Sequence, residues 1–335
     1  MATSVVIQTS FLGDVILTTP LLSELAARGP VDVVTTPAAG ALLANHPAIR
    51  EIIPFDKRGA ESGIGGALRL ASRLRRAKYD AAYLAQGSVR SGALALAARI
   101  PRRVGFDTSA GRWLYTERVA HRGDEHHAVR LWRLAAGSAA IPLAIRPRLY
   151  PGAAQQAAVD AFLASVPRDG AKLVALAPGS IWGTKRWPYF PSLAKRLAGL
   201  YRLVVIGGGA DAALAADIAA AAGPERVIDA TGRLSLLESA ALIERCAALV
   251  TNDSAPLHLA SAMGTPTVAI FGPTVPAFGF GPLAPQRVIA EITTLDCRPC
   301  SSHGPQVCPL GHFKCMKDLD AQRVLDLVLT LGLTA

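Results

Sequence analysis

Three short stretches of this 335-residue chain set reactive side chains among residues that keep a backbone irregular. The first is SFLGD, Ser10 to Asp14, just past the apolar run Val5-Val6-Ile7. Gly13 permits a tight turn. The Asp14 carboxylate can then accept a proton from a hydroxyl, or it can cap a helix, whose N-terminus favours an ionised carboxylate. The second is APGSIWGTKRWP, Ala177 to Pro188. Ser180 and Thr184 offer hydroxyls there, and Lys185 offers a mobile cation. Together with backbone N–H groups, such a loop suits a diphosphate. The competing reading is a surface loop with a solvated Lys185. Trp182 and Trp187 count against it, because large aromatics pack or line a site. The third is TNDSAPLHLASAMGTPTVAIFGPT, Thr251 to Thr274. Asp253 and Ser254 stand between a strand and a helix. Ser254 can cap that helix, N–H groups near Pro256 and Leu257 can face an anion, and His258 follows one turn in. A capped core helix with a satisfied histidine is the plainer alternative.

Two further groups carry chemistry at weaker specificity. GGGADAAL, Gly207 to Leu214, has the glycines of a nucleotide-adjacent loop but not the G-x-G-x-x-G spacing of a dinucleotide fingerprint. Asp211 is its candidate for touching a ribose. Cys297, Cys300, Cys308 and Cys315 follow the spacing Cys-x2-Cys-x7-Cys-x6-Cys, with His303 and His312 inside. Four thiolates in so short a span can hold a structural Zn²⁺ tetrahedrally. An iron–sulfur cluster and free surface thiols are the other readings. Cys246 falls in an apolar helical pattern and reads as a small buried hydrophobe.

The elements that must position these groups alternate. VVIQ, VDVVTT, EIIPF and Tyr79–Leu84 read as strands, separated by helices over LLSELAAR, AGALLAN and GALRLASRLRRA and followed by one over SGALALAARI. Thr19-Pro20 reads as a second helix start. After Pro147 the pattern thins to a linking helix, PGAAQQAAVDAFLASV, and a break at VPRDG. It restarts with strands KLVALAP, RLVVIGGG, RVIDAT, ALVTN and TVAIFG, again alternating with helices. Strand–helix alternation implies parallel βαβ units, and two runs of it imply two α/β domains, 1–167 and 168–335. All three motifs then follow strands, where ligands of open α/β sheets bind.

Composition bounds the function. Hydrophobic residues make up 51% of the chain and charged ones 18%, enough apolar surface for two cores. No apolar run is long enough for a membrane span, and the N-terminus lacks the basic and apolar regions of a signal peptide, so a cytoplasmic protein is expected. The formal charge is +10. Residues 1–165 hold 20 Lys and Arg against 12 Asp and Glu, a net +8, which leaves +2 for the rest. The first half therefore suits an anionic partner: nucleic acid, an acidic lipid surface or a phosphorylated substrate. Arg69, Arg73 and Arg76 stand at helical spacing and are expected along one face.

Taken together, SFLGDVILTTPLL, PGSIWGTKRWP and TNDSAPLHLASAMGTPTVAIFGPT resemble the ADP-heptose:lipopolysaccharide heptosyltransferases, glycosyltransferases of family 9, and their second type more than their first. The resemblance runs over nearly the whole chain. It implies a GT-B fold, two Rossmann-like domains facing across a cleft, with the acceptor on the first domain and the nucleotide-sugar on the second. It implies an inverting transfer of heptose from ADP-heptose to the lipid A–core acceptor, at the inner membrane face, with no catalytic cofactor and no nucleic acid. Asp14 matches the family's general base and Lys185 its phosphate-contacting lysine. Asp253, Ser254 and His258 match its donor loop. Ala255 stands where the family usually has glycine, so a methyl group is expected near the phosphates. A GT-B sugar-nucleotide epimerase and a non-catalytic anionic glycolipid-binding protein are the rival classes.

Overall fold

The computed structural model describes residues 2–57, 59, 61–143, 145–167 and 170–333. The chain divides into two units, Met1–Tyr150 and Pro151–Ala335.

Unit 1 carries six strands: β1 (Ser4–Ile7), β2 (Val31–Thr35), β3 (Glu51–Pro54), β4 (Ala81–Tyr83), β5 (Arg102–Phe106) and β6 (Glu117–Val119). They form one parallel sheet in the order β3-β2-β1-β4-β5-β6. Its helices are α1 (Leu12–Leu17), α2 (Thr19–Ala26), α3 (Pro37–Leu42), α4 (Gly63–Ala77), α5 (Val89–Ala97) and α6 (His127–Ala136). Strands covered on both faces read as continuous apolar runs, which is why Val5, Val6 and Ile7 were legible as core. All three are buried, and Val5 and Ile7 pack with Val34, Leu74, Leu84 and Leu94.

Unit 2 opens with α7 (Ala153–Leu163). There follow β7 (Leu173–Ala177), α8 (Phe190–Leu197), β8 (Arg202–Val205), α9 (Ala212–Ala222), β9 (Val227–Asp229), α10 (Leu236–Glu244), β10 (Ala248–Asn252), α11 (Ala255–Met263), β11 (Thr267–Phe271) and β12 (Arg287–Glu291). Helices α12 (Lys314–Lys317) and α13 (Ala321–Thr330) end it. The second sheet is also parallel, in the order β12-β11-β10-β7-β8-β9. Counted from its own first strand, each sheet has the same order, 3-2-1-4-5-6. Each therefore reverses direction once, between β1 and β4 in unit 1 and between β7 and β10 in unit 2. That reversal is where a doubly wound sheet leaves a crevice at its carboxyl edge.

The division falls after Tyr150 rather than at the expected boundary after 167, and residue 168 itself lies outside the described residues. The reason is α7. It is not a free linker, because Arg245 ties it to the end of α10. The guanidinium donates to the Gln156 side chain at 2.7 Å and pairs with Asp160 at 2.5 Å.

Six elements lie beyond those expected: β5, β6, α6, β12, α12 and α13. Strand β6 has three residues, too few to show a period. Helix α6 hides its apolar face behind arginines that are themselves buried, Arg130 and Arg133. Arg133 is tolerated there because Glu125 accepts two of its N–H groups, both at 2.7 Å. Among the described residues, no helix is long and apolar enough to cross a membrane.

Candidate functional site

The two loops at the unit 2 reversal are Pro178–Arg186 after β7 and Asp253–Ser254 after β10. Lys185 ends a short 3-10 turn, Gly183–Lys185, and its Nζ lies 2.6 Å from Asp253 Oδ2. Each side chain is about one-tenth exposed. The Thr274 hydroxyl donates to the same Asp253 oxygen at 2.7 Å. Asn252 fastens the two loops by their backbones: its Nδ2 donates to the Pro178 carbonyl at 2.7 Å, and its Oδ1 accepts from Trp187 N at 3.2 Å. A cation, a carboxylate and a hydroxyl are thus held together beside the start of α11.

Ser254 occupies the N-cap position of α11, but its hydroxyl turns to the Asn252 carbonyl at 3.4 Å instead of capping. Pro256 stands in the first turn, and Ala255 is the first helical residue. His258 is buried one turn in, edge-on to Phe280. The Ser180 hydroxyl accepts from Trp182 N at 3.3 Å. Thr184 is buried, with both its backbone N and its hydroxyl donating to the Pro305 carbonyl. Asp211 accepts from Gly208 N at 3.0 Å, and its carboxylate lies so close to Gly179 that a Cβ there would strike it. It therefore braces the loops after β7 and β8 against each other. Trp187 belongs to the core, where its indole N–H donates to the Leu319 carbonyl at 2.8 Å.

The cysteine-rich segment braces this site. Gly183 N donates to Gln306 Oε1 at 3.0 Å, and Gln306 Nε2 donates back to the Ile181 carbonyl at 3.0 Å. A Cβ on Gly183 would strike the Gln306 carbonyl, so glycine is required by close approach. Arg298 donates to the backbone carbonyls of Gly272, Ile292 and Thr274 and pairs with Glu291 at 2.8 Å. Of the readings open for the four cysteines, the zinc site is not supported. Among the described residues, no three His, Cys, Asp or Glu side chains gather where they could hold a metal ion. Cys315 is packed into the hydrophobic core, and burial pushes its thiol up to about 11. The Cys300 thiol, pushed up by burial and by its cysteine neighbours, donates to the Cys297 carbonyl at 3.4 Å. Cys297 Sγ stands 4.0 Å from His312 Nε2. Cys246 is buried as expected, its thiol pushed up to about 12.

In unit 1, Asp14 lies in the first turn of α1. Gly13 is helical and makes no tight turn, and Phe11 holds the N-cap position, so Asp14 is not the cap. The carboxylate is about one-fifth exposed, and its Oδ1 lies 3.6 Å from His127 Nε2 at the start of α6. The Thr18 hydroxyl donates to the Asp14 carbonyl at 2.7 Å and accepts from Gln8 Nε2 at 3.2 Å, which separates α1 from α2. Beside the ends of β1 and β4 lies a pocket of about 210 Å³, with polar groups from Thr9, Lys57, Gln86, Ser88, Arg90 and Ser91 set among Ile7, Phe55 and Leu94. Lys57 Nζ donates to the Thr9 carbonyl at 2.6 Å. His127, Lys57, Gln86 and Arg90 were not legible as site residues, because each sits outside the three motifs. The only sequence signal for His127 was its place in His126-His127 just before an apolar run. Thr274 closes the third motif, where nothing in the sequence pattern pointed to the Asp253 carboxylate as its partner.

The family model for glycosyltransferase family 9 (heptosyltransferase) matches residues 67–309. The chain is 28% identical to lipopolysaccharide heptosyltransferase 2 of Salmonella typhimurium, over 96% of each chain. Its fold is similar to that of E. coli ADP-heptose lipopolysaccharide heptosyltransferase II, with a TM-score of 0.80, 26% identity, and coverage of 99% of this chain and 98% of the other. A family 9 glycosyltransferase from Veillonella parvula is equally similar, with a TM-score of 0.84 and 25% identity over 100% and 98% of the two chains.

Proposed function

The chain belongs to glycosyltransferase family 9, the heptosyltransferases, and on that premise we propose that it transfers heptose from ADP-heptose to the inner core of lipopolysaccharide, as a heptosyltransferase of the second type. The two-domain α/β architecture is the GT-B fold of that family. The observation that carries the reading is the Lys185–Asp253–Thr274 group at the unit 2 reversal, beside the N-terminus of α11.

Unit 2 binds the donor. Lys185 meets the diphosphate, sharing its charge between Asp253 and the phosphate oxygens, and the N–H groups at the start of α11 add their dipole. Ser180, Thr184 and Ser254 belong to the same loops, His258 stands one turn into α11, and Asp211 holds the loop after β8 in place. Unit 1 binds the acceptor, with Lys57 and Arg90 offering cations to an anionic saccharide. The acceptor hydroxyl oxygen attacks the anomeric carbon as the bond from that carbon to the diphosphate breaks. Asp14 takes the hydroxyl proton. Attack opposite the leaving group inverts the centre, and ADP departs with the bonding pair. Lys185 and the helix N–H groups are already in place for that charge. His127 holds the Asp14 carboxylate in position. On this reading the protein works in the cytoplasm, at the inner face of the inner membrane.

The test is an assay with ADP-heptose and lipopolysaccharide from a mutant lacking the second heptose. Transfer to the acceptor with inversion is the expected result. Epimerisation of the donor without acceptor, or binding of either ligand without turnover, would replace this reading with one of its rivals.

A further inference from the structure

Helices α4 and α5 of unit 1 flank a trough of about 340 Å³ that adjoins the pocket beside Thr9 and Gln86. Its walls are Ala67, Leu68 and Ala71 from α4 and Ala93, Leu94 and Ala97 from α5. On the rim, Ile64 is 81% exposed and Leu68 59% exposed. A single exposed apolar side chain needs no explanation. These two stand at i and i+4, so they share one stripe of α4, over an apolar trough.

The charges of α4 are one-sided. The helix carries four arginines and no carboxylate. Arg73, expected to share a face with Arg69 and Arg76, turns away to pair with Glu51 at 2.8 Å. Arg69, Arg75 and Arg76 remain exposed. Arg75 falls on the Ile64–Leu68 stripe by helical spacing, and Arg69 and Arg76 share a line about a third of the way round the helix from it. Arg90 on α5 lines the trough at its junction with that pocket. Apart from Glu61 at the N-terminal end of the trough, the charges along this helix edge are cations, and apolar side chains bordered by such a basic stretch form the pattern of a helix that lies in a membrane interface. The cations complement an anionic surface, and the apolar pair complements the boundary beneath it.

We infer that the α4–α5 face of unit 1 docks on an anionic lipid bilayer, with Ile64 and Leu68 entering the boundary between headgroups and acyl chains and Arg69, Arg75 and Arg76 meeting lipid phosphates. This deepens the proposed function and rests on its lipid-anchored acceptor. Docking here turns the pocket beside Thr9 and Gln86 toward the surface that presents that acceptor.

The experiment is flotation of the full chain with phosphatidylcholine vesicles, with and without phosphatidylglycerol, in the absence of donor and acceptor. Its outcome therefore does not depend on whether heptose is transferred. Retention is expected on the anionic vesicles alone, weakening as salt rises. The double variant Ile64→Ser/Leu68→Ser should partition roughly tenfold or more weakly, since each change removes a side chain that enters the boundary. Both residues are exposed, so its thermal midpoint should match wild type. With a water-soluble, acyl-free acceptor saccharide its turnover should also match, and it should fall with acceptor embedded in vesicles. Absence of wild-type retention on anionic vesicles overturns the proposal, as does equal retention of wild type and variant. A concentration-dependent dimer that the same substitutions abolish, without vesicle binding, would assign the face to a second copy of the chain.

Discussion

The two sheets share one strand order, yet the crevices at their points of reversal are built differently. In unit 2 the reversal holds a nearly buried ion pair, Lys185 with Asp253, fastened by Thr274 and Asn252 and braced from outside by the cysteine-rich segment. In unit 1 it holds a partly exposed carboxylate, Asp14, near one imidazole, and an open pocket of mixed lining. The difference follows from the two halves of the proposed reaction. Charge that develops on a leaving diphosphate is best met by groups fixed in advance in a dry site. A general base must be reachable by the substrate hydroxyl and must release its proton afterwards. Function and stability are therefore fused in unit 2 and separable in unit 1.

Asp14→Asn should show the separation most clearly. Turnover should fall on the order of 10²–10⁴-fold, because an amide cannot accept the proton. The thermal midpoint and the affinity for ADP should stay at wild-type values. Near-normal turnover would return Asp14 to a structural role.

Lys185→Ala should show the fusion. Removing one partner of a buried pair strands the other, at a cost of about 3–5 kcal/mol. Denaturant unfolding should report that loss, and calorimetric titration of the folded variant should report weaker ADP binding. Loss of stability with unchanged ADP affinity would make the pair purely structural and dissolve the contrast.

His127→Ala is a smaller lever. Its ring stands 3.6 Å from the carboxylate and does not itself touch the reacting atoms. Turnover should fall about tenfold, the equivalent of ~1.4 kcal/mol in the barrier. The Michaelis constant for donor should not change, and His127→Gln should recover part of the rate. A shift in donor affinity instead would break the assignment of His127 to the base.

The mildest test is acid sensitivity. Burial pushes His46, in unit 1, from an ordinary value of 6.5 down to about 4. Between those values the unfolded chain binds more protons than the folded one. The contribution of His46 is therefore complete above about pH 6.5, declines as pH falls, and levels off below about 4. Hydrogen exchange across that range should show unit 1 loosening before unit 2, and His46→Gln should flatten the slope. Equal loosening of both units would show that His46 does not set the order.

Much of this was legible in the chain. The buried strands announce themselves as apolar runs, Val5-Val6-Ile7 and Ala248-Leu249-Val250 among them, since a strand covered on both faces has no polar side to show. Three motifs at strand ends marked the candidate site. What stayed hidden depends on which side chains meet in space. Arg133 looks like a surface residue until Glu125 is placed against it, so α6 and its His127 went unread. The cysteine spacing looked like a metal site, but spacing does not show that Cys315 is turned into a core.

By itself the sequence determined the architecture class, the family and the residues at the ends of β1, β7 and β10, because periodicity, turn chemistry and local motifs act over a few residues at a time. Only the tertiary structure decided that Lys185 meets Asp253, 68 positions away, and that Asp14 is a first-turn residue beside His127 and not a cap. It also decided that Arg73 leaves the basic face of α4 for Glu51. Each of these is a contact between polar side chains, and such a group finds its partner by distance in space, which the order of residues along the chain does not state.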